Sequence, residues 1–479
     1  MSEDSIKNKT VKGVFWSGVD KFAYYAIQFV VNIIMARLLT PNDYGLVGIM
    51  MVFIAFSGIF VDGGFMTALI QKKDRNETDF NTVFVTNTFT AVILCGLLFL
   101  VAPLIASYYS EPSICGLLRV LSLQLIISAL GAVSLTKLTI EVDFKSISIA
   151  SITAAIISGV TGIAMAYNGY GVWSLVYMQL ILISIRSLLL NLMKKWMPSF
   201  SFSISSFKQL FSFSSKLIAS SLVDQIYLNL YPLVIGKYFS ARSLGIYTRG
   251  EQFGKMPASI LNDMFMRVTL PIMSSVQDDI PQLRRVYREY IQASSFIIFG
   301  IMCLLIVIAH PLILLLLKEQ WLESVPVMQI LCAAMMTLHI SAINRNLLYA
   351  KGCSGWALRL ELIKKGLAIV LFILSLPFGV IGVCVGQFIY SIFAPFINSY
   401  YTKILIGISY WEQFLDYGKI WIIAILAGVI AYCIMLVFLS PWLQLASGSL
   451  FFCVMYLGIH MILKTPSYKM FMNIVKRYI

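Results

Sequence analysis

Charge is scarce in this chain. Only 12% of its 479 residues are Asp, Glu, Lys or Arg, about half the usual share of a soluble protein. Hydrophobic residues reach 59%, and mean hydropathy is +0.85. A soluble fold of this size could not bury so much apolar surface. Histidine is almost missing: His310, His339 and His460 stand alone and form no metal motif, so packing or local hydrogen bonding is expected of them. The eight cysteines are scattered singly without a CxxC, which argues against a disulfide framework or a zinc site. There is no GxSxG, no Walker loop, no HExxH and no glycine-rich dinucleotide turn. The sequence therefore implies no enzyme and no cofactor. Without an ATP site, uphill transport would draw on an ion gradient or on the gradient of the substrate.

What is present is a series of long apolar runs. A spanning helix needs roughly 20 apolar residues. That ruler predicts an all-α polytopic membrane protein with about fourteen transmembrane helices. In the first half they fall near 14–38, 44–70, 80–108, 114–136, 147–167 and 170–193. The second half continues near 213–239, 246–276, 287–317, 324–348, 356–376 and 379–402, followed by 417–439 and 442–463. The N-terminal stretch is polar and the first apolar run is too long for a signal core, so no cleavable signal peptide is expected. The stretch 194–212 mixes Phe207, Leu210 and Phe211 with Ser and Lys, which suits a helix lying on the inner leaflet. The segment 404–416 invites the same reading.

The charge that exists is lopsided, 36 Lys+Arg against 22 Asp+Glu. In a membrane protein this excess reports topology rather than nucleic-acid binding. With the N-terminus in the cytoplasm, the inner segments carry 22 basic residues. The outer ones carry five: Arg37, Lys237, Arg242, Arg249 and Lys318. Both termini are therefore expected inside.

A repeat underlies the spans. Ile34 to Leu46 can be laid over Val234 to Ile246 at a constant offset of 200, with Gly45 over Gly245 and Arg37 over Lys237. Six spans per half is an even number, so the halves enter from the same side as parallel repeats. The expected organisation is two pseudo-symmetric six-helix lobes, 1–200 and 201–403. Residues 404–479 add two further helices and a cytoplasmic tail.

Polar residues inside spans need a reason, because a charge at the bilayer centre costs roughly 3 kcal/mol on insertion scales. Lys21, Tyr25, Gln28 and Asn32 form one stripe on the first span. Lys21 either faces a central cavity or snorkels to the inner headgroups. Lys216, Ser220, Asp224, Tyr227 and Tyr231 repeat the idea on the seventh span. Asp224 could bind a coupling cation, exchange a proton, or pair with a neighbouring base. Asp62 precedes Gly63 and Gly64, a plausible bend. Asp263 and Arg267 are spaced to pair on one helix, as are Glu361 and Lys365, which would leave Lys364 unpaired. Arg186 lies in the inner third of the sixth span, and Arg119, suited to phosphate, near the outer end of the fourth. The spans lean basic, which suits an anionic amphiphile.

The segments Ala36 to Leu46, Asp62-Gly63-Gly64-Phe65 running into Ala68 to Gln71, and Gly169 to Leu175 resemble a known family. It is the polysaccharide transporter branch of the multidrug/oligosaccharidyl-lipid/polysaccharide exporter superfamily. Wzx-type flippases and the colanic acid, teichuronic acid and lipopolysaccharide exporters are most similar. The resemblance implies a multi-pass protein of a bacterial inner membrane. It implies flipping of undecaprenyl-pyrophosphate-linked repeat units of O-antigen, capsule or exopolysaccharide from inner to outer leaflet, by alternating access. Read from the polar residues of the spans, the candidate substrate-binding residues are Lys21, Tyr25, Gln28, Asn32, Arg119, Arg186, Lys216 and Lys364, of which Lys21 also looks like a counterpart of a family cavity residue by position. The candidate ion-coupling residues among the span carboxylates are Asp62, Asp224 and Asp263, with H+ or Na+ as the ion; the resemblance itself points to Asp224, with no matching deep carboxylate on the eleventh span. Membrane lipids and a polysaccharide polymerase machinery are the further partners; nucleic acid is not.

Three alternatives compete. A cation-coupled drug antiporter of the same superfamily would want an acidic cavity. A membrane glycan polymerase or ligase would want a large outer loop with Arg or His chemistry. A non-catalytic scaffold would not need intramembrane polar stripes.

Overall fold

The computed structural model describes residues 3–469, and in the first helix it describes side chains at positions 16, 18 and from 22 onward. Sixteen α-helices and two short 3-10 turns make up the described secondary structure, with no strand among the described residues. The chain packs as two compact units, Met1–Gly245 and Ile246–Ile479.

The first unit contains α1 (Glu3–Leu38), α2 (Pro41–Asp62), α3 (Phe65–Gln71), α4 (Glu77–Tyr109), α5 (Ser113–Ile140), α6 (Phe144–Tyr167), α7 (Val172–Lys194) and α8 (Ile204–Tyr238). Its breaks have local causes. Thr40 caps α2 in a capping box with Asp43, and Pro41 sits at the first helical position. The expected bend after Asp62 is a true break: Gly63 and Gly64 both take left-handed backbone, at φ 53° and 68°. Asn76 and Asp79 form a second capping box at the start of α4.

Close helix packing uses small residues. A methyl at Gly131 on α5 would run into Ser187 on α7, whose hydroxyl donates to the Ile127 carbonyl at 3.0 Å. Helix α8 opens the second half of the sequence repeat, yet it packs in the first unit against α2, α3 and α4.

Helix α9 (Ala241–Ser275) crosses the boundary between units. The second unit continues with α10 (Ile280–Leu317), α11 (Ser324–Met335), α12 (Leu338–Ala350), α13 (Ser354–Ser375), α14 (Gly379–Ile406), α15 (Tyr410–Met435) and α16 (Pro441–Ile462). The two extra C-terminal helices dock here: α15 and α16 pack on α10, and the Tyr456 hydroxyl donates to the Phe296 carbonyl at 2.7 Å. A buried polar knot holds the same unit. The Tyr287 hydroxyl donates to Asn344 Oδ1 at 2.9 Å, Thr402 donates to the same oxygen, and Asn344 Nδ2 donates to Gln413 at 3.1 Å. His339 is fully buried against the Ser295 hydroxyl at 2.8 Å, a packing histidine as expected.

Among the described residues, eleven stretches are long and apolar enough to cross a membrane, and one of them, Ser354–Ile406, holds both α13 and α14. Helices α1 and α9 bring the total to the fourteen expected. In α1 the side chains are described continuously from Phe22, and Phe22–Leu38 is its described apolar segment. Helix α9 carries Arg242, Arg249, Glu251, Lys255, Asp263 and Arg267.

Two expected surface helices do not exist. Residues 195–203 are irregular and 204–212 are the first turns of α8. The segment 404–416 is the end of α14, a turn at Gly407 in left-handed backbone, and the start of α15. At 204–213 the amphipathic composition had a different cause: Phe207 and Phe213 pack against the cluster of Phe65, Phe80 and Phe84.

Candidate functional site

Helix α8 is the unusual element. Only 6% of its most apolar window is buried, against 28–56% for the other ten candidate spans. Its buried residues are Leu210, Ser214, Ile235 and Gly236, so the stretch 215–234 has none. That stretch carries Lys216, Ser220, Asp224, Gln225 and Asn229, and Lys216, Ser220 and Asp224 are exposed. Asp224 lies about 30 Å from the helix start at 1.5 Å per residue, deep in a span. An exposed carboxylate at that depth would cost a few kcal/mol in bare hydrocarbon, so water or a protein partner must offset it. The arrangement suits a water-lined surface.

The stripe on α1 shares this character. Tyr25 is exposed, Gln28 and Asn32 are half-buried, and Asn32 Nδ2 donates to the Gln28 carbonyl at 2.8 Å. The Lys21 side chain lies outside the described residues. Arg186 on α7 is half-buried, and its Nε is shielded from solvent with no hydrogen-bond acceptor among the described residues. Asp62 is exposed at the end of α2.

Other expected site residues are engaged elsewhere. Arg119 donates from Nε to the Phe99 carbonyl at 3.1 Å and lies 4.4 Å over the Phe99 ring, on the exposed side of α4. Lys364 is not the unpaired charge. It is buried and bonds Glu361 at 2.7 Å, with Arg345 on the same carboxylate at 3.2 Å. Three residues of helical spacing serve as well as four when burial favours the nearer partner. Asp263 and Arg267 are both exposed, and no ion pair joins them among the described residues. Arg249, expected in an outer loop, is buried in α9, where its Nη1 donates to Gln252 at 2.5 Å and its guanidinium lies 5.8 Å from the Trp321 ring.

A second polar cluster went unforeseen. Lys137 on α5 bonds Glu77 at 2.6 and 2.8 Å and sits over the rings of Phe80 and Trp196 at 4.3 and 4.9 Å. Trp196 Nε1 donates to the same Glu77 at 3.0 Å. Two backbone amides tie the following strand of irregular chain to α4: Ser199 N to Asn81 Oδ1 at 2.9 Å and Ser203 N to Thr82 Oγ1 at 3.1 Å. Residues 195–203 thus form a strap across the start of α4. Nothing local in the sequence signals it, because its partners are more than a hundred residues apart.

The comparisons with known proteins fit this architecture. The sequence model of a family described as polysaccharide biosynthesis protein matches residues 34–326. The chain is 24% identical over 436 residues to the lipopolysaccharide biosynthesis protein WzxC of Escherichia coli K12, covering 90% of this chain and 88% of that one. It is 26% identical over 351 residues to the teichuronic acid biosynthesis protein TuaB of Bacillus subtilis 168, covering 73% and 72%. Among solved structures, an inward closed lipid II flippase MurJ superposes with a TM-score of 0.73 at 16% identity, covering 94% of this chain and all of that one. An inward-facing multidrug resistance MATE family transporter superposes with a TM-score of 0.58 at 14% identity, covering 81% and 99%. At these identities the structures establish a shared fold.

Proposed function

The chain belongs to the polysaccharide biosynthesis protein family, and from that premise we propose that it is a flippase for lipid-linked oligosaccharides. Its substrate is an undecaprenyl-pyrophosphate-linked repeat unit, carried from the inner to the outer leaflet of a bacterial inner membrane. Both termini face the cytoplasm, and the work is transport rather than catalysis.

The single observation that carries this reading is the uncovered polar stretch of α8. A helix with Lys216, Ser220 and Asp224 exposed along a membrane-length segment suits the wall of an aqueous path. Lys216, Lys21 and Arg186 supply positive charge for a pyrophosphate, and Arg offers the geometry phosphate favours. Tyr25, Gln28 and Asn32 supply an aromatic face and amides for sugar hydroxyls. The polyprenyl tail stays in hydrocarbon. Asp224 is the first candidate for coupling to H+ or Na+, with Asp62 and Asp263 behind it. Movement follows alternating access of the parallel repeats. Arg119 and Lys364 are weaker candidates, since each already holds a protein partner.

Thiol accessibility tests the path. Ser220→Cys in proteoliposomes is expected to react with a small, impermeant maleimide above the background of the parent protein. A short undecaprenyl-pyrophosphate glycan should slow that reaction, and phosphatidylcholine should not. An inert thiol at position 220 would place this face of α8 against lipid and remove the main support for the reading.

A further inference from the structure

The second unit has a cavity of about 450 Å³ where α13, the end of α14 and the start of α15 meet. It lies at the end of the unit that bears Lys351, Lys403 and Lys419, the end the loop charges assign to the cytoplasm. Its composition changes with depth. Ile363 and Phe396 form the apolar part, and each is 57% exposed. Tyr400, Tyr410 and Trp411 form the rim, with Tyr400 and Trp411 65% and 69% exposed. Large amphipathic rings at span ends mark the headgroup level. Lys403 completes the lining. Its side chain is exposed and has no hydrogen-bond or ion-pair partner among the described residues.

A second cation stands close by. Arg284 Nε donates to the Ile406 carbonyl at 2.9 Å, and a side chain at Gly407 would meet the same guanidinium. Ring contacts tie the lining together: Trp356 stacks on Tyr401 at 4.6 Å between centroids, and Phe396 meets Tyr410 edge-on at 5.1 Å. The cavity is therefore framed rather than a gap between loose side chains.

We infer that this cavity binds an anionic glycerophospholipid of the surrounding leaflet, its phosphate at Lys403 and one acyl chain along Ile363 and Phe396. Among the described residues, Lys403 is the only charged one lining the cavity; the Glu412 carboxylate is held by the lining residue Ser409 and offset by Arg284 and Arg288. The apolar walls below require a chain, so a free phosphate would satisfy only half the site. A zwitterionic lipid brings its own ammonium against Lys403. The inference does not depend on the transported substrate.

The test uses the full-length protein in detergent, with lipid retention read by native mass spectrometry. The probes are phosphatidylglycerol, phosphatidylcholine of the same chains, and glycerol phosphate. Phosphatidylglycerol is expected to bind more tightly than phosphatidylcholine, and glycerol phosphate at equal concentration should not displace it. Lys403→Gln should weaken phosphatidylglycerol about fivefold, the worth of one lysine at an anionic surface, and leave phosphatidylcholine unchanged. Ile363→Trp, which fills the cavity while sparing Lys403, should abolish retention of the lipid. Lys73→Gln, at an exposed lysine of the first unit, should change neither. Equal affinity for the two lipids would overturn the inference. So would an unaffected Lys403→Gln or Ile363→Trp, an equal loss in Lys73→Gln, or displacement by glycerol phosphate.

Discussion

Asp79 does two things with one carboxylate. It accepts the Asn76 amide at 3.0 Å to close the capping box of α4, and it holds the Lys72 ammonium at 2.8 and 3.0 Å. Its side chain has no exposure, and that of Lys72 has 13%. Breaking a buried pair by removing one partner costs about 3–5 kcal/mol, and the small opening at Lys72 puts this case at the lower end. Asp79→Asn keeps an acceptor for the cap and removes only the charge. Thermal unfolding in detergent is expected to show a clearly lowered midpoint. The pair Arg285–Glu289 is the contrast, with side chains 81% and 46% exposed. Arg285→Gln should shift the midpoint barely, since such helical pairs contribute about 0.3–0.5 kcal/mol. Sequence could not separate these cases. Lys72 and Arg285 both read as cytoplasmic charges, and only burial tells a structural ion pair from a topology signal.

At the scale of elements, local chemistry was legible and distant pairing was not. Thr40-Pro41 and Gly63-Gly64 announce helix breaks by their own backbone preferences, and the breaks are there. The repeat has a physical counterpart within the first unit. A methyl at Gly45 would overlap the Ala241 carbonyl, and one at Gly245 would overlap the Pro41 carbonyl. The starts of α2 and α9 thus touch through backbone at positions 200 apart, each glycine clearing the carbonyl of the first residue of the other helix. Gly45→Ala is expected to lower the thermal midpoint because backbone must shift. Gly96→Ala on α4 meets nothing within 4 Å. It should be neutral or slightly stabilising, as alanine is the better helix former by about 1 kcal/mol. A Gly45→Ala protein as stable as Gly96→Ala would contradict the contact. The strap at 195–203 shows the limit of sequence reading: Phe207, Leu210 and Phe211 suggested a surface helix over 194–212, but Trp196, Ser199 and Ser203 are fixed by Glu77, Asn81 and Thr82.

At the scale of the molecule, hydropathy carried almost everything. Span number and order were readable because apolar length is a global constraint that no tertiary contact overrides. The packing units were not, since α8 follows the repeat in sequence but packs with the first unit. For the proposed site, the sequence offers polar residues and the structure their surroundings. Tyr25, Gln28 and Asn32 on α1 and the polar stripe on α8 stand on exposed or half-buried positions, whereas the partners of Arg119 and Lys364 depend on neighbours that spacing alone does not choose. The central claim is movement of a glycan-bearing lipid between leaflets. The most direct test places a short fluorescent undecaprenyl-pyrophosphate glycan in the leaflet of proteoliposomes equivalent to the cytoplasmic one. Its exposure to an impermeant glycosidase is followed with and without a proton or sodium gradient. Protein-dependent exposure is expected, slowed about tenfold or more in Lys216→Gln, the worth of one charge-assisted hydrogen bond. No exposure of several pyrophosphate-linked glycans, together with gradient-driven efflux of a cationic dye, would contradict the account.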